Sequence, residues 1–550
     1  MSSHGSDHIT SEKYDTSPEI VSAAVPASHT PKVQGKEKVV HNAELFAAIQ
    51  EANINPRSKE SLHLYFSIFI AFCCACANGY DGSLMTSIIA MPHFKSTFGV
   101  ESVGPGAAVI FSLYVVGAMV GSPFAAVLSD KLGRRKSMFV GGVVINIGMI
   151  IISTSSHLAQ IVVGRFVLGL GISVMTVTAP AYALEISPPH WRGRCTGFYN
   201  CGWFGGAIPA AIVTFGCNYM DNDYSWRVPL ILQSFACLIV MISVFFIPES
   251  PRFLMANGQD AEALAFLIKY HGNGDPNSRL VRLEIEEMRE GIKQDGIDKV
   301  WWDYRPFLVS HSGRWRIAQV LMISIFGQFS GNGLGYFNTT IFENLGVTSV
   351  PQQLGYNILN QVLSAIGALT AVSLSDRMPR RKVLVIGTFV CAVALAANSG
   401  LTAVLDQQSQ RGEIDLSYGQ GALASYFLFN IIFSFTYTPL QGAIPTEALE
   451  TTTRAKGLAL SGFIVNGIGF INLFAGPIAL KNIGYRYIFV FVAWDVIESI
   501  LWYFFCVESQ GRTIEQLEWV YNQPNPVKAS LKVDKVILTD EGKVAEKIVA

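Results

Sequence analysis

The charged residues of this 550-residue chain are concentrated in three segments, and this segregation constrains the fold more than any other feature. Residues 1–60 carry 14 of the 81 charges, residues 249–314 carry 20, and residues 508–550 carry 13. The other 381 residues hold 34 charges, about 9%, whereas soluble domains carry roughly 25%. Two long apolar blocks with so few charges cannot be the cores of soluble domains. The sequence therefore predicts an integral membrane protein.

Each apolar block divides into segments long enough to cross a bilayer. A hydrocarbon core of about 30 Å requires roughly 20 predominantly apolar residues in a helix. We therefore expect an all-α membrane protein with twelve transmembrane helices in two six-helix bundles. The predicted spans, numbered 1 to 12 along the chain, cover residues 64–88, 106–128, 137–155, 158–184, 196–216, 226–247, 316–342, 354–375, 382–404, 419–442, 456–477 and 486–507.

The polar segments complete the predicted domain organisation. The first is rich in Ser, His, Pro and Lys, a composition that favours disorder. Lysines in the two tails are candidate ubiquitination sites, which would make a ubiquitin ligase a partner. The predicted units are a disordered N-terminal tail (1–60), a first six-helix bundle (61–248), a helical linker (249–314), a second bundle (315–507) and a C-terminal tail (508–550).

Basic residues predict the orientation of the chain in the membrane. Lys131, Arg134 and Arg135 follow span 2, and Arg380 and Arg381 follow span 8. The loops on the other side carry few basic residues. Because cytoplasmic loops carry an excess of Lys and Arg, we expect both termini and the linker to face the cytoplasm.

The two blocks repeat each other. The sequence Ser-Asp-Lys-Leu-Gly-Arg-Arg-Lys at 129–136 returns as Ser-Asp-Arg-Met-Pro-Arg-Arg-Lys at 375–382. Glu-Ser at 249–250 returns at 508–509, and each Glu-Ser pair is followed by an Arg. Parallel repeats of this kind are typical of carriers that work by alternating access.

Several function classes lack support in the sequence. The net charge of −1 provides no basic field for nucleic acid. The chain contains neither a GxxxxGK[ST] phosphate loop nor an HExxH motif, so nothing indicates an ATP-driven pump or a metalloprotease. We expect no enzymatic activity, no catalytic residue, no cofactor and no metal.

Short motifs throughout the chain resemble those of the sugar porter family of the major facilitator superfamily. They cover roughly residues 61–520. The matching motifs are Gly-Arg-Phe at 164–166, Pro-Ala-Tyr at 180–182, Glu185 with Arg192-Gly193, Pro-Glu-Ser-Pro-Arg at 248–252, Gln-Phe-Ser-Gly-Asn-Gly at 328–333 and Gly-Arg-Thr at 511–513.

Longer strings, at 73–83 and 327–338, resemble the cellodextrin transporters of filamentous fungi. That resemblance implies uptake of cellobiose and short β-1,4-glucans (cellodextrins) with protons across the plasma membrane. Two alternatives remain open at this stage. One is a carrier of hexoses or other disaccharides, and the other is a sugar sensor that does not transport.

Asp81 is the candidate for proton coupling. It lies within span 1, where a carboxylate costs about 2.5–3.5 kcal/mol and therefore requires a partner or a function. Arg165, at the start of the apolar stretch of span 4, is the natural partner. In proton-coupled sugar porters the matching Asp carries the proton and the matching Arg pairs with it. The alternative is a static ion pair that holds the bundle together.

Span 7 is the candidate for sugar binding. Sugars are bound by amides and hydroxyls, with aromatic rings that stack on the pyranose faces. Gln328, Asn332 and Tyr336 follow at spacings of four, which predicts one helical face. The glycines between them predict an interrupted helix near the substrate, although such amides also serve to join helices. Further candidates, on other spans, are Asn200, Asn466 and Tyr182.

The chain departs from the family pattern on span 5, where Asn200 stands in place of a common sugar-binding Gln, and at two further positions. Gly327 stands where a first Gln is common, and Gly442 stands on span 10 where a Trp is common. Loss of an indole enlarges the cavity, which favours a substrate longer than a monosaccharide. Asp495 and Glu498 share a face of span 12, and the sequence assigns them no role.

Charged residues at the cytoplasmic ends of the spans resemble the family's gating network. Such pairs would latch the inner mouth and separate as it opens. The alternative is that the basic members only set topology. The network comprises Asp130, Arg134, Glu185, Arg192, Glu249 and Arg252, mirrored by Asp376, Arg380, Glu447, Arg454, Glu508 and Arg512.

Overall fold

All twelve predicted spans correspond to helices in the structure, which is a computed structural model. Among the described residues, ten segments are long and apolar enough to cross a membrane. The other two predicted spans are span 5, whose helix is more polar, and span 7, whose helix is broken. The structure describes residues 48–49, 51–52, 54–189, 191–297, 304–374, 378–411, 415–450, 453–510, 512, 514–532, 534–538 and 544–549.

The helices give the spans their observed bounds. In the first bundle they are Lys59–Ile88 (span 1), Pro92–Phe98, Pro105–Leu132 (span 2), Arg134–Ser153 (span 3), Leu158–Ile186 (span 4), Arg192–Cys217 (span 5), and Tyr224–Leu232 with Ser234–Ser243 (span 6). The linker contains Pro251–Ala256, Asp260–Tyr270, Arg279–Ile297 and Arg305–Val309.

The second bundle continues the pattern, with one difference at span 7. It contains His311–Phe329, a 3-10 helix at Asn332–Phe337 and Asn338–Asn344 (together span 7), Val350–Leu374 (span 8), Arg380–Arg411 (span 9), Leu416–Tyr437 with Leu440–Ala448 (span 10), Arg454–Ile483 (span 11) and Arg486–Phe505 (span 12). The tail contains helices Ile514–Asn522 and Pro526–Ser530, and strands Asp534–Leu538 and Val544–Val549 form a two-stranded sheet.

These apolar segments are helical because a helix satisfies its backbone hydrogen bonds internally, which the hydrocarbon core of a bilayer requires. Polar side chains cap the ends that remain. Ser58 Oγ accepts the amide of Ser61 at the start of span 1, and Ser310 Oγ accepts the amide of Gly313 at the start of span 7.

Within the first bundle, span 1 packs along span 5, and span 4 packs along spans 2 and 3. Small residues allow the closest of these approaches. A Cβ atom added at Gly206 of span 5 would lie 1.9 Å from the carbonyl oxygen of Cys76 in span 1. The backbones of the two helices therefore touch there, as is usual for glycine at helix interfaces in membranes.

The two bundles meet through two pairs of spans. Span 2 packs on span 11, and span 5 packs on span 8. An offset of six spans converts one pair into the other, so the interface has the same internal symmetry as the sequence. Spans 9, 10 and 12 pack together within the second bundle.

Hydrogen bonds join the bundles at the end opposite the linker, which we call the far end; the other is the linker end. Thr86 Oγ1 donates to the carbonyl of Tyr336, and Thr339 Oγ1 donates to the carbonyl of Thr86, at 3.1 and 3.2 Å. Asn357 Nδ2 donates to Ser87 Oγ at 3.2 Å. Span 1 is thus joined at its far end to spans 7 and 8.

Candidate functional site

A buried ion pair lies inside the first bundle. Arg165 Nη1 of span 4 donates to both oxygens of Asp81 in span 1, at 2.6 and 2.8 Å. The side chains are 3% and 1% exposed. Gln233, at the junction between the two helices of span 6, donates its Nε2 to Asp81 Oδ1 at 3.1 Å. Three spans therefore supply donors or acceptors to one enclosed pair, as buried charges require.

Span 2 encloses the guanidinium from another side. The ring centroid of Tyr114 lies 4.7 Å from the Arg165 guanidinium carbon, a cation–π contact. Arg165 Nε donates to the carbonyl of Ile110 at 3.3 Å, and Tyr114 donates its hydroxyl proton to Asn78 Oδ1 at 2.8 Å. Sequence reasoning missed Gln233 and Tyr114. For Gln233 a signal existed, namely an amide within an otherwise apolar span.

Span 7 breaks directly after Phe329. Gly331 adopts a φ of 86°, in the left-handed region that favours glycine, and a 3-10 helix follows. The predicted interruption is therefore observed. The prediction that Gln328, Asn332 and Tyr336 share one helical face is wrong, because a regular helix does not continue through Gly331. Asn332 Nδ2 nevertheless donates to Gln328 Oε1 at 3.0 Å, so these two amides remain in contact.

The break exposes the last carbonyls of the helix His311–Phe329, and two amides from other spans bind them. Gln441 of span 10 donates Nε2 to the carbonyl of Gly327 at 3.0 Å. Asn472 of span 11 donates Nδ2 to the carbonyl of Gln328 at 2.8 Å. Gln441 fills the space beside Gly327 that a side chain would need. Sequence reasoning missed both residues, although each is an amide within an apolar span.

Tyr336 lies where span 7 faces the first bundle. Its ring centroid is 6.5 Å from that of Phe111 in span 2, in an edge-to-face arrangement. Its backbone carbonyl is the acceptor of Thr86 at the far end. Tyr336 is therefore positioned between the bundles, on the same side of the break as Asn332.

The remaining sugar-binding candidates differ in their placement. A Cβ atom added at Gly442 of span 10 would lie 2.9 Å from Asn200 Nδ2 of span 5, so this amide faces the second bundle. Asn466 Nδ2 donates at 2.9 Å to the carbonyl of Gly462 in its own helix. Tyr182 is fully buried, and its hydroxyl donates at 2.7 Å to the carbonyl of Pro248 at the linker end. Its hydroxyl is thus engaged next to the charged network, and the role of Tyr182 in sugar binding stays a prediction.

In the first bundle the charged residues at the linker end form one network. Arg134 Nε and Nη2 donate to the two oxygens of Glu185, each at 3.0 Å, a bidentate pair. Ser250 Oγ also donates to Glu185. Asp130, 74% exposed, lies 3.3 Å from Arg134 Nη1.

Glu249 caps span 3. Its two oxygens accept the backbone amides of Arg134 and Arg135 at 3.1 and 3.4 Å. A carboxylate at a helix N-terminus is favourable because it satisfies unpaired amides and interacts with the helix dipole. Burial raises the pKa of Glu249, and the hydrogen bonds from backbone amides oppose that rise. Arg252 lies in the short helix Pro251–Ala256 that follows.

The second bundle repeats this arrangement. Arg380 Nη2 donates to Glu447 Oε1 at 3.1 Å, and Ser509 Oγ donates to Glu447 Oε2 at 2.5 Å. Glu508 accepts the backbone amides of Arg380 and Arg381 at 2.9 and 3.1 Å, so it caps span 9 as Glu249 caps span 3. Arg512 Nη2 donates to the carbonyls of the tail residues 530 and 532, at 2.8 and 2.5 Å.

Arg192 differs from its predicted place in the network. Its guanidinium donates to Glu284 of the linker at 3.1 Å and lies 3.7 Å from Glu287. His271 Nδ1 lies 2.6 Å from the second oxygen of Glu284. Arg192 therefore connects span 5 to the linker. Asp376 and the side chain of Arg454 lie outside the described residues.

The chain matches the family described as "Sugar (and other) transporter" over residues 67–521. It is 28% identical to a quinate permease of Neurospora terricola over 530 residues, 91% of this chain and 97% of that one. It is 28% identical to a high-affinity glucose transporter of Kluyveromyces lactis over 478 residues, 84% and 86% of the two chains. It is 27% identical to the MFS-type transporter criB of Aspergillus cristatus over 468 residues, 84% and 94%.

Solved structures share the fold. The proton:xylose symporter XylE bound to 6-bromo-6-deoxy-D-glucose superposes with a TM-score of 0.69 at 20% identity, over 84% of this chain and all of that one. The inward open conformation of XylE from E. coli gives a TM-score of 0.66 at 19% identity, over 83% and 99%. The all-α prediction with two six-helix bundles is confirmed. The chain therefore belongs to the sugar transporter family of the major facilitator superfamily, whose relatives here are carriers rather than enzymes.

Proposed function

We propose that this chain imports cellobiose and short cellodextrins together with protons across the plasma membrane, with both termini in the cytoplasm. The observation that carries the coupling proposal is the buried pair of Asp81 and Arg165. A buried ion pair offsets its cost of desolvation only while both partners are charged and in contact. A proton on Asp81 cancels its attraction to Arg165, so protonation changes the energy of the bundle arrangement.

In this proposal, Asp81 takes up a proton from outside when the first bundle is accessible from that side. Gln233 then keeps one hydrogen bond to the carboxyl group, while Arg165 retains the carbonyl of Ile110 and the ring of Tyr114. The guanidinium thus keeps these neutral partners in either protonation state, but its charge is balanced only while Asp81 is ionised. Reopening toward the cytoplasm restores the ion pair and releases the proton.

The sugar would bind at the break in span 7. Gln328 and Asn332 present amides there, and Tyr336 presents an aromatic ring nearby, which together match the hydroxyls and apolar faces of a pyranose. Gln441 and Asn472 hold the broken end of the helix and so fix the position of these amides. Asn200, across the bundle interface, supplies a further amide. The charged networks at the linker end would hold the cytoplasmic mouth closed and separate as it opens.

Cellobiose is favoured over a monosaccharide by the resemblance of the sequence to cellodextrin transporters and by Gly442, whose lack of a side chain makes room for the amide of Asn200. The second candidate is a carrier of hexoses or related small metabolites. It is favoured by relatives whose names are a glucose transporter and quinate permeases.

Uptake in yeast that lacks its own sugar carriers tests the proposal. Labelled cellobiose, glucose and quinate are supplied separately while the external pH is recorded. We expect cellobiose uptake with alkalinisation of the medium. Uptake of glucose or quinate alone would support the second candidate, and cellobiose uptake at constant pH would support uncoupled diffusion. A correctly localised protein that takes up none of the three would favour a sensor.

The variant Gly442→Trp tests the size of the substrate. An indole at this position would displace the amide of Asn200 and fill the interface between spans 5 and 10, so we expect cellobiose uptake to fall at least about tenfold while glucose uptake falls much less. Gly442→Ala is the matched control, because only the flexible amide of Asn200 must move. Equal losses for both sugars would contradict the size argument.

A further inference from the structure

A second buried acidic group lies in the other bundle, where neither the motifs nor the relatives assign a role. Asp495 and Glu498 are adjacent on one face of span 12, and both are 0% exposed. Within the described part of the chain, neither oxygen of Asp495 has a hydrogen-bond partner, and neither does Glu498 Oε1. Such groups are rare in native proteins and require an explanation.

The other oxygen of Glu498 is bound by hydroxyl groups. Ser330 Oγ donates to Glu498 Oε2, and the Tyr437 hydroxyl donates to the same oxygen at 3.2 Å. Tyr437 Oη also lies 2.8 Å from Thr388 Oγ1 and accepts the indole N–H of Trp502 at 3.3 Å. Spans 7, 9, 10 and 12 therefore meet at this carboxyl group.

The charges around the pair leave it without a counterion. The titratable groups that face it are Cys391 of span 9 and Tyr437 of span 10, and span 7 contributes the neutral Ser330. No ion pair in the described residues includes Asp495 or Glu498. Two carboxylates that share a buried site without a cation cannot both be ionised. At least one proton therefore belongs to the pair in this structure.

The pair is connected to the proposed sugar site through Ser330. This residue follows the helix His311–Phe329 directly and precedes the left-handed Gly331. It lies two positions from both Gln328 and Asn332. A change of charge on Glu498 therefore acts on the residue at which span 7 bends.

We propose that Asp495 and Glu498 form a second proton-binding site, in the second bundle, that adjusts the break in span 7 and so makes sugar affinity depend on pH. The link to sugar rests on the proposed function, but the proton site does not. With the pair neutral, Ser330 and Tyr437 hold the break as observed. Loss of the proton creates a buried charge that strengthens the hydrogen bond from Ser330 and draws this residue toward Glu498. The break in span 7 then departs from the observed arrangement, so affinity falls as the pH rises.

Infrared spectroscopy of the purified full chain in liposomes tests the proton site without any sugar. A buried protonated carboxyl group gives a C=O stretch that shifts in deuterated water. We expect this band to shift or lose intensity in Glu498→Gln or Asp495→Asn, to be lost in the double variant, and to remain unchanged in Asp81→Asn. Either variant alone suffices if the other does not fold. A band that is unchanged in both variants would overturn the proposal. A band that appears only when sodium is removed would also overturn it, because the pair would then bind sodium in place of a proton.

Cellobiose binding, followed by the fluorescence of Trp502 and the other tryptophans, tests the link to sugar. In the wild type we expect affinity to fall about tenfold on alkaline titration, within the usual range of coupling between sites. Glu498→Gln should remove this dependence, and Ser330→Ala should weaken it while leaving the infrared band in place. An unchanged pH profile in Glu498→Gln would exclude the link. Because the infrared result does not require cellobiose, a different substrate would leave the proton site standing.

Discussion

Asp81→Asn is expected to abolish the accumulation of cellobiose while sparing its exchange across the membrane. Asparagine is nearly isosteric with aspartate, and its one oxygen can still accept from Arg165 and Gln233. Its NH2 group cannot accept the second bond from Arg165, and the side chain takes up no proton. A proton driven by 100 mV supplies about 2.3 kcal/mol. Because about 1.36 kcal/mol corresponds to a factor of ten, one proton supports a roughly 50-fold concentration ratio. We expect the variant to equilibrate the sugar instead.

Proteoliposomes with an imposed proton gradient allow both activities to be measured on one preparation. Accumulation of cellobiose against its own concentration gradient reports coupling to protons. Exchange of labelled for unlabelled cellobiose reports that the carrier is intact. Asp221→Asn, the same chemical change on an exposed loop residue, is the matched control. Accumulation that persists in Asp81→Asn would remove Asp81 as the proton carrier and leave it a structural role.

Arg165→Leu is expected to cost about 3–5 kcal/mol of stability, because it leaves the Asp81 carboxylate buried without its counterion. Thermal unfolding in detergent, followed by the reaction of a thiol dye, measures the loss. Eight of the nine cysteines are buried, so the dye reports unfolding. Combining Arg165→Leu with Asp81→Asn removes the charge as well, and most of the stability should return.

Lys481→Met is the control for loss of an ion pair. Lys481 Nζ lies 2.5 Å from Glu101 Oε2, but both side chains are exposed, so we expect little change in stability. If Arg165→Leu and the double variant lost equal stability, the loss would come from packing around the guanidinium rather than from the unpaired carboxylate.

The sequence predicts the helices well because membrane helices are set by local composition. The predicted bounds of span 12, 486–507, lie within two residues of the observed helix Arg486–Phe505. Irregularities within a span are harder to predict. Span 7 was expected to be interrupted, but the face shared by Gln328 and Tyr336 depended on a helical register that Gly331 ends. The junction within span 6 at Gln233 was not predicted.

The site was predictable where a residue is costly to bury and unpredictable where it bonds to backbone. A lone carboxylate in an apolar span requires a partner, which is why Arg165 could be named for Asp81. Gln441 and Asn472 bind carbonyls that only the break in span 7 exposes, so their partners depend on tertiary structure. Arg192 pairs with Glu284 of the linker, a segment whose position the spacing of motifs does not encode.

Glu249 and Glu508 each lie in the segment that ends a six-helix unit. Each accepts hydrogen bonds from backbone amides in the first turn of that unit's third helix. The segment that ends each unit is thereby hydrogen-bonded to a helix in the middle of that unit. These contacts make the helices of one bundle resist sliding past one another. The two bundles can therefore move relative to each other as rigid bodies about their interface, while deformation is confined to the interrupted spans.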